Sequence, residues 1–239
     1  MSNRGAQNLK LTPAQSALLR EGEWVDRLDG GALVIQGSGG YTFTSDSLRL
    51  ARFARAKTGE RGADIGAGSG VIALMLCAKA RLKEIYAVEI RQEAAQMCER
   101  SVKLSGLEST VSVLNMRVQD SLQQIGKGTL DFAVCNPPYS RTGSGETSLD
   151  TEIGLCRHEG ALTMDELISC ARALLRFGGR FYTMYPASRA AELIYKLHAG
   201  GLEPKTLQFV SPKPGKPPYL VLVHASRGAK PGLSVLPEL

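Results

Sequence analysis

From Arg61 to Ala225, short apolar runs of strand length alternate with stretches whose apolar residues recur at helical spacing. No other feature of the chain constrains its fold as much. The pattern predicts strands at 61–65, 84–89, 111–115, 130–135, 180–185, 202–210 and 218–225. Helices are expected at 69–80, 91–105, 119–125 and 187–199. Strands separated by such helices cannot join through tight hairpins. They pair through crossovers, which gives a mostly parallel sheet covered on both faces. One more helix is marked in "LTMDELISCARALLRFGG". Thr163 and Glu166 there have capping-box spacing, Leu167, Ala171, Leu174 and Leu175 share one side, and Gly178 stands as terminator.

Upstream, "EWVDRLDGGALVIQGSGGYTFT" offers two strand-like runs around the turn signal Asp29-Gly30-Gly31, so a small hairpin is expected. In "SDSLRLARFARAK", Ser45 or Asp46 is the candidate N-cap of a helix. Arg49, Arg52 and Arg55 then share one face, read as solvated rather than as an RNA-contacting stripe. The expected organisation is an N-terminal extension with the hairpin over 1–45, a main domain over 46–228, and a loosely held tail over 229–239.

At 239 residues with 43% hydrophobic and 22% charged residues, the chain can bury a sizeable core, and its composition excludes disorder. A formal charge of +6 suits a polyanionic partner without requiring one. The five cysteines form no CxxC pair, which points to packed, reduced thiols in the cytoplasm and to no metal site. No apolar run approaches the roughly 20 residues of a spanning helix, and no hydrophobic leader is evident, so neither membrane insertion nor secretion is expected.

The chemistry begins in "ADIGAGSGVIALML". Asp64 ends the first strand of the alternating region, and Gly66, Gly68 and Gly70 fill the turn before a helix. Glycines there let the backbone turn tightly and approach a ligand at the carboxyl edge of the sheet. The spacing Asp-x-Gly-x-Gly-x-Gly departs from G-x-G-x-x-G, and an acid before the glycines suits a cofactor's ammonium rather than a pyrophosphate. The implied ligand is S-adenosylmethionine (AdoMet), not NAD. Glu89, at the end of "IYAVEI", is placed to hold both ribose hydroxyls. In "NMRVQD", Gln119 and Asp120 join the candidate cofactor set. Asp120 is read equally as acceptor for the adenine amine or as N-cap of the next helix, while Val118 or Ile90 flanks the ring.

The run 130–135 then ends in "CNPPYS". The prolines fix the turn so that the Asn136 side-chain oxygen and the Pro137 carbonyl are aimed at one spot, with Pro138 stiffening it and Tyr139 offering a stacking face. Two acceptors on one amine favour the pyramidal, electron-rich nitrogen that forms during methyl transfer, so they stabilise the transition state more than the ground state.

Asp64 to Gly70, Glu89, Asp120 and Asn136 to Tyr139 resemble the class I, Rossmann-like amino-methyltransferases. More narrowly, the segment from Tyr41 to Leu48, "CRHEGALTMDELI" and "VSPKPGKPPYLVLVHASRG" are similar to the bacterial tRNA1(Val) adenine-37 N6-methyltransferases. The resemblance implies an α/β fold with a mostly parallel seven-stranded sheet whose last strand is antiparallel. It also implies AdoMet as methyl donor and an anticodon-loop adenine of tRNA as acceptor. It puts Asp46 near the cofactor's methionine end, Asn136, Pro137 and Tyr139 in the catalytic loop, and Arg157 and His158 on the substrate side. Lys213 and Lys216, set among four prolines, are candidate phosphate contacts, with a solvated surface as the competing reading. Asn-Pro-Pro-Tyr also serves release-factor glutamine methyltransferases, which carry a larger helical N-terminal domain. DNA adenine methylation and a non-catalytic RNA-binding module are weaker alternatives.

Overall fold

The computed structural model describes residues 9–37, 42–137 and 162–239. These fall into two compact units, Met1–Met116 and Arg117–Leu239.

The first unit opens with one turn of helix, α1 (Pro13–Ser16), closed by a Thr12–Gln15 capping box that the sequence reading passed over. The expected hairpin follows as β1 (Glu23–Arg27) antiparallel to β2 (Leu33–Gly37), with Gly30 and Gly31 at φ of +82° and +94° in its turn. Next come α2 (Ser45–Phe53), β3 (Arg61–Ile65), α3 (Val71–Lys79), β4 (Glu84–Glu89), α4 (Gln92–Leu104) and β5 (Val111–Asn115). β3, β4 and β5 pair in parallel, in register with Asp64 beside Ala87 and Val88 beside Leu114. α2 is capped by Thr44, without a side-chain bond, rather than by Ser45 or Asp46. Arg55 lies beyond the end of α2. Arg52 is tied to Asp29 at 2.8 Å, as a solvated face allows.

The hairpin is fastened to α4 by groups of both kinds. Leu33 and Ile35 pack with Met97 and Leu104, and Leu9, Leu11, Leu18 and Val25 close over them. The Ile35 N–H donates to the Ser101 hydroxyl at 2.9 Å, and the Leu33 N–H to the Ser105 hydroxyl at 2.9 Å. Residues 9–37 are therefore part of a packed unit.

The second unit holds α5 (Val118–Ile125), β6 (Leu130–Cys135), α6 (Met164–Leu174), β7 (Leu175–Pro186), a 3-10 turn (Ala187–Arg189), α7 (Ala190–Ala199), β8 (Leu202–Val210), β9 (Leu220–Arg227) and β10 (Ser234–Val235). β6 and β7 are parallel, and β9 is antiparallel to both β7 and β8, so β3 to β9 supply the seven expected strands with the last one reversed. The Thr163–Glu166 capping box opens α6 as expected. Gly178 does not end it: the chain passes straight into β7 at Leu175, which is fully buried opposite Leu130. Four residues, 176–179, then bulge before Arg180 meets Phe132, and Gly178 supplies the bulge's positive φ of +76°. The tail is not loose either. β10 adds a parallel edge strand to β8, the Ser211 N–H donates to the Leu239 carbonyl at 2.9 Å, and Gln208 donates to the Pro237 carbonyl at 2.8 Å.

Candidate functional site

In the first unit, the chain leaves β3 into a turn stitched to the neighbouring strand. Gly66 and Ala67 N–H groups both donate to the Val88 carbonyl, at 2.8 and 3.1 Å. Gly70 caps α3 in a left-handed conformation, φ +89°, and a Cβ there would stand 2.6 Å from the Cys98 Sγ. Packing thus explains this glycine. At Gly66 and Gly68 a Cβ would meet nothing within 4 Å, and their left-handed φ of +74° and +56° is what calls for glycine. Above those two the backbone faces open space.

Asp64 lies beneath the turn with no exposure. Its Oδ2 accepts the Ala73 N–H at 3.1 Å, and among the described residues its Oδ1 is buried with no hydrogen-bond partner. Burial lifts its carboxyl to about 7; the Ala73 N–H opposes this and the Glu89 charge adds to it. Such an oxygen is costly to bury until a donor or cation reaches it. Burial, with the Asp64 and Glu89 charges, also pushes the Cys98 thiol far up, so it serves as packing.

Glu89, 4% exposed, ends β4. Its Oε2 accepts the Gly68 N–H at 2.9 Å, while its Oε1 accepts from Arg91 twice, from the N–H at 2.9 Å and Nε at 3.1 Å. With roughly four lone-pair directions on a carboxylate, about one remains for a ribose hydroxyl; a grip on both needs Arg91 to swing away. Two groups here were not foreseen. Arg91 is one, and the other is Asn115 at the end of β5, whose amide donates to the Glu89 and Ile90 carbonyls at 2.9 and 3.0 Å. Only the pairing of β4 with β5 brings Asn115 there. Ile90 is exposed. Asp46 is buried in the first turn of α2 and faces Arg49 at 3.8 Å.

In the second unit, Asn136 follows β6 half-buried and Pro137 is buried. Cys135 pairs with Thr183 of β7, whose hydroxyl is buried without a hydrogen-bond partner among the described residues. α5 is capped by Arg117, so Asp120 is not an N-cap; it sits exposed in the first turn, with Gln119 half-buried beside it. β8 runs in the same sense as β6 and β7, since both β7 and β8 oppose β9. The loop after β8 therefore opens on the edge where Asn136 leaves β6, and its Lys213 and Lys216 are exposed. Pro138, Tyr139, Arg157 and His158 lie outside the described residues. Among the described residues no group of acids, histidines and cysteines could hold a metal ion, and no helix is long and apolar enough to cross a membrane.

A turn held open above two glycines, over a carboxylate oxygen with no partner among the described residues, suits a ligand that brings its own donors. With the alternating strand order and the reversed last strand, this defines a Rossmann-like class I, AdoMet-dependent methyltransferase. The chain belongs to the methyltransferase small domain family, whose model matches residues 45–196. A Tolumonas auensis protein named tRNA1(Val) (adenine(37)-N6)-methyltransferase is 30% identical over 184 residues, spanning 77% of this chain and 75% of its own. An Aeromonas hydrophila protein of the same name is 30% identical over 190 residues, spanning 77% and 76%. Among solved structures, a predicted O-methyltransferase from Agrobacterium tumefaciens superposes with a TM-score of 0.62 at 20% identity, covering 81% of this chain and 86% of that one. P. horikoshii TYW2 in complex with MeSAdo gives 0.61 at 16%, covering 87% and 72%.

Proposed function

We propose that the protein methylates the exocyclic N6 of an adenine in tRNA, adenine 37 in the anticodon loop of tRNA1(Val), and does so in the cytoplasm. The observation that carries this reading is Asn136, half-buried where β6 ends and followed at once by Pro137 and Pro138. The names of the Tolumonas and Aeromonas relatives support the substrate. The catalytic domain of this reading spans residues 46–228.

When bound, AdoMet supplies a methyl group on a positively charged sulfur. The open Oδ1 of Asp64 accepts from an ammonium, and the space above Gly66 and Gly68 admits a ligand close to the backbone. The lone-pair direction left on Glu89 takes a ribose hydroxyl, while Gln119, Asp120 and Ile90 serve the adenine end. The Asn136 side-chain oxygen and the Pro137 carbonyl accept the two protons of the target amine and favour the pyramidal nitrogen of the transition state. Tyr139 stacks on the target base. Arg157, His158, Lys213 and Lys216 belong to the RNA side of the site.

The test offers labelled AdoMet with unmodified tRNA, release factor or duplex DNA as acceptor, followed by mass spectrometry of nucleosides and amino acids. N6-methyladenine at position 37 is expected; label in glutamine would reverse the assignment. Asn136→Ala should abolish turnover while AdoMet affinity stays within about tenfold, roughly 1.4 kcal/mol. Loss of both together would contradict the division of labour between the two ends of the site.

A further inference from the structure

At the amino ends of β6 and β7, the bulge 176–179 does something that strand pairing does not ask of it. It holds Phe177 in water, 74% exposed. The ring rests against Gly228, where a Cβ would stand 2.1 Å from its carbons, and Gly178 gives the bulge its positive φ. Two glycines thus fix an aromatic side chain that gains nothing from burial there.

Its surroundings are cationic. Arg176 and Arg172 are exposed on the same stretch, and Gly128 donates to the Ala173 carbonyl at 2.8 Å, which brings the exposed Lys127 to the end of α6. Arg227 donates to the Arg172 carbonyl at 3.0 Å and to the Leu175 carbonyl. The acids nearby are engaged: Asp131 with Arg176 at 2.7 Å, and Glu203, opposite Ser226, with His198 at 2.6 Å. A protein-docking face would be apolar at its centre and depleted of charge. A single flat ring among guanidinium and ammonium groups instead fits a nucleic-acid strand, whose bases stack and whose phosphates are anionic.

We propose that this ledge is a second RNA-contact face. An unpaired base stacks on Phe177, and the flanking phosphates lie on Lys127 and Arg172. β6 runs six residues from Leu130 to Cys135, which at about 3.3 Å each sets the ledge roughly 20 Å from Asn136. The contacted segment therefore lies outside the reacting loop, in the body of the RNA. The proposal rests on tRNA being the substrate.

Fluorescence anisotropy with two labelled RNAs, a full-length tRNA1(Val) transcript and its isolated anticodon stem-loop, tests it without turnover. Phe177→Ala, and separately Lys127→Glu with Arg172→Glu, should each weaken the full-length Kd by about tenfold, and Phe177→Trp should restore it. The charge variant should also flatten the salt dependence of log Kd by about two. Stem-loop binding, and the methylation rate at saturating tRNA, should not move. An unchanged full-length Kd in either variant overturns the proposal, and so does an equal loss on both RNAs. If the wild type binds tRNA but methylates none of it, the substrate assignment falls while the comparison of Kd values still decides the ledge.

Discussion

Burial raises the Asp64 carboxyl far above the ordinary range of an aspartate. In the unfolded chain its carboxyl ionises near 3.8, and in the folded protein near 7, so between those values the folded state holds more protons. Stability contributed by this residue is full below about pH 4 and falls as pH rises through 7. Asp64→Asn removes that slope. Without cofactor the variant should be more resistant to urea than the wild type at pH 8, with the advantage vanishing near pH 4. It should also bind AdoMet at least tenfold more weakly, the cost of one lost charged contact. In the wild type, AdoMet affinity measured by calorimetry should fall from pH 8 to pH 6, because the carboxyl gains a proton, though by less than about tenfold since the ligand's amine becomes fully charged over the same range. A flat profile would exclude Asp64 as the ammonium acceptor. Gly70 makes a sharper steric case: Gly70→Ala meets both the φ of +89° and the Cys98 Sγ at 2.6 Å, and should cost about 1–3 kcal/mol in urea unfolding. Adding Cys98→Ala should recover only the steric part.

Among the elements, the hairpin's anchor on α4 is the most exposed to test. Arg100 grips both Glu23 oxygens and donates to the Leu18 carbonyl at 2.9 Å, with the Glu23 and Arg100 side chains 8% and 16% exposed. The Arg100 hydrogen bond holds the Glu23 carboxyl below its ordinary value of 4.5, against the opposing effect of burial. A lowered acid stabilises above its unfolded value and loses that contribution as pH falls through the folded one. Arg100→Ala should therefore cost about 3 kcal/mol at pH 7, and less at pH 3, in denaturant titrations. Sequence marked the hairpin by its Asp-Gly-Gly turn, but not the anchor, whose partners stand 77 residues apart. The Gly178 misreading has the same origin. A glycine after a helical run reads as a stop, yet the burial of Leu175 against Leu130 ends α6 earlier and turns Gly178 into a bulge.

For the molecule as a whole, a net charge of +6 predicts how salt separates its two ligands. The affinity for tRNA should drop at least tenfold between about 50 and 200 mM salt, while that for AdoMet shifts less than about twofold, since phosphate contacts release counterions and one bound zwitterion does not. Equal responses would argue against a polyanionic substrate. By itself the sequence determined the alternating α/β order, the capping box at Thr163, and the glycine turn with its acid. Each is written in neighbouring residues, where periodicity and backbone restriction act over a few positions. Tertiary structure alone decided that one Asp64 oxygen is left without a partner among the described residues, that Arg91 and Asn115 hold the end of β4, that the tail becomes an edge strand, and that Phe177 stands in water. Those outcomes depend on which distant backbone groups pairing brings within hydrogen-bond reach, and local sequence carries no record of that.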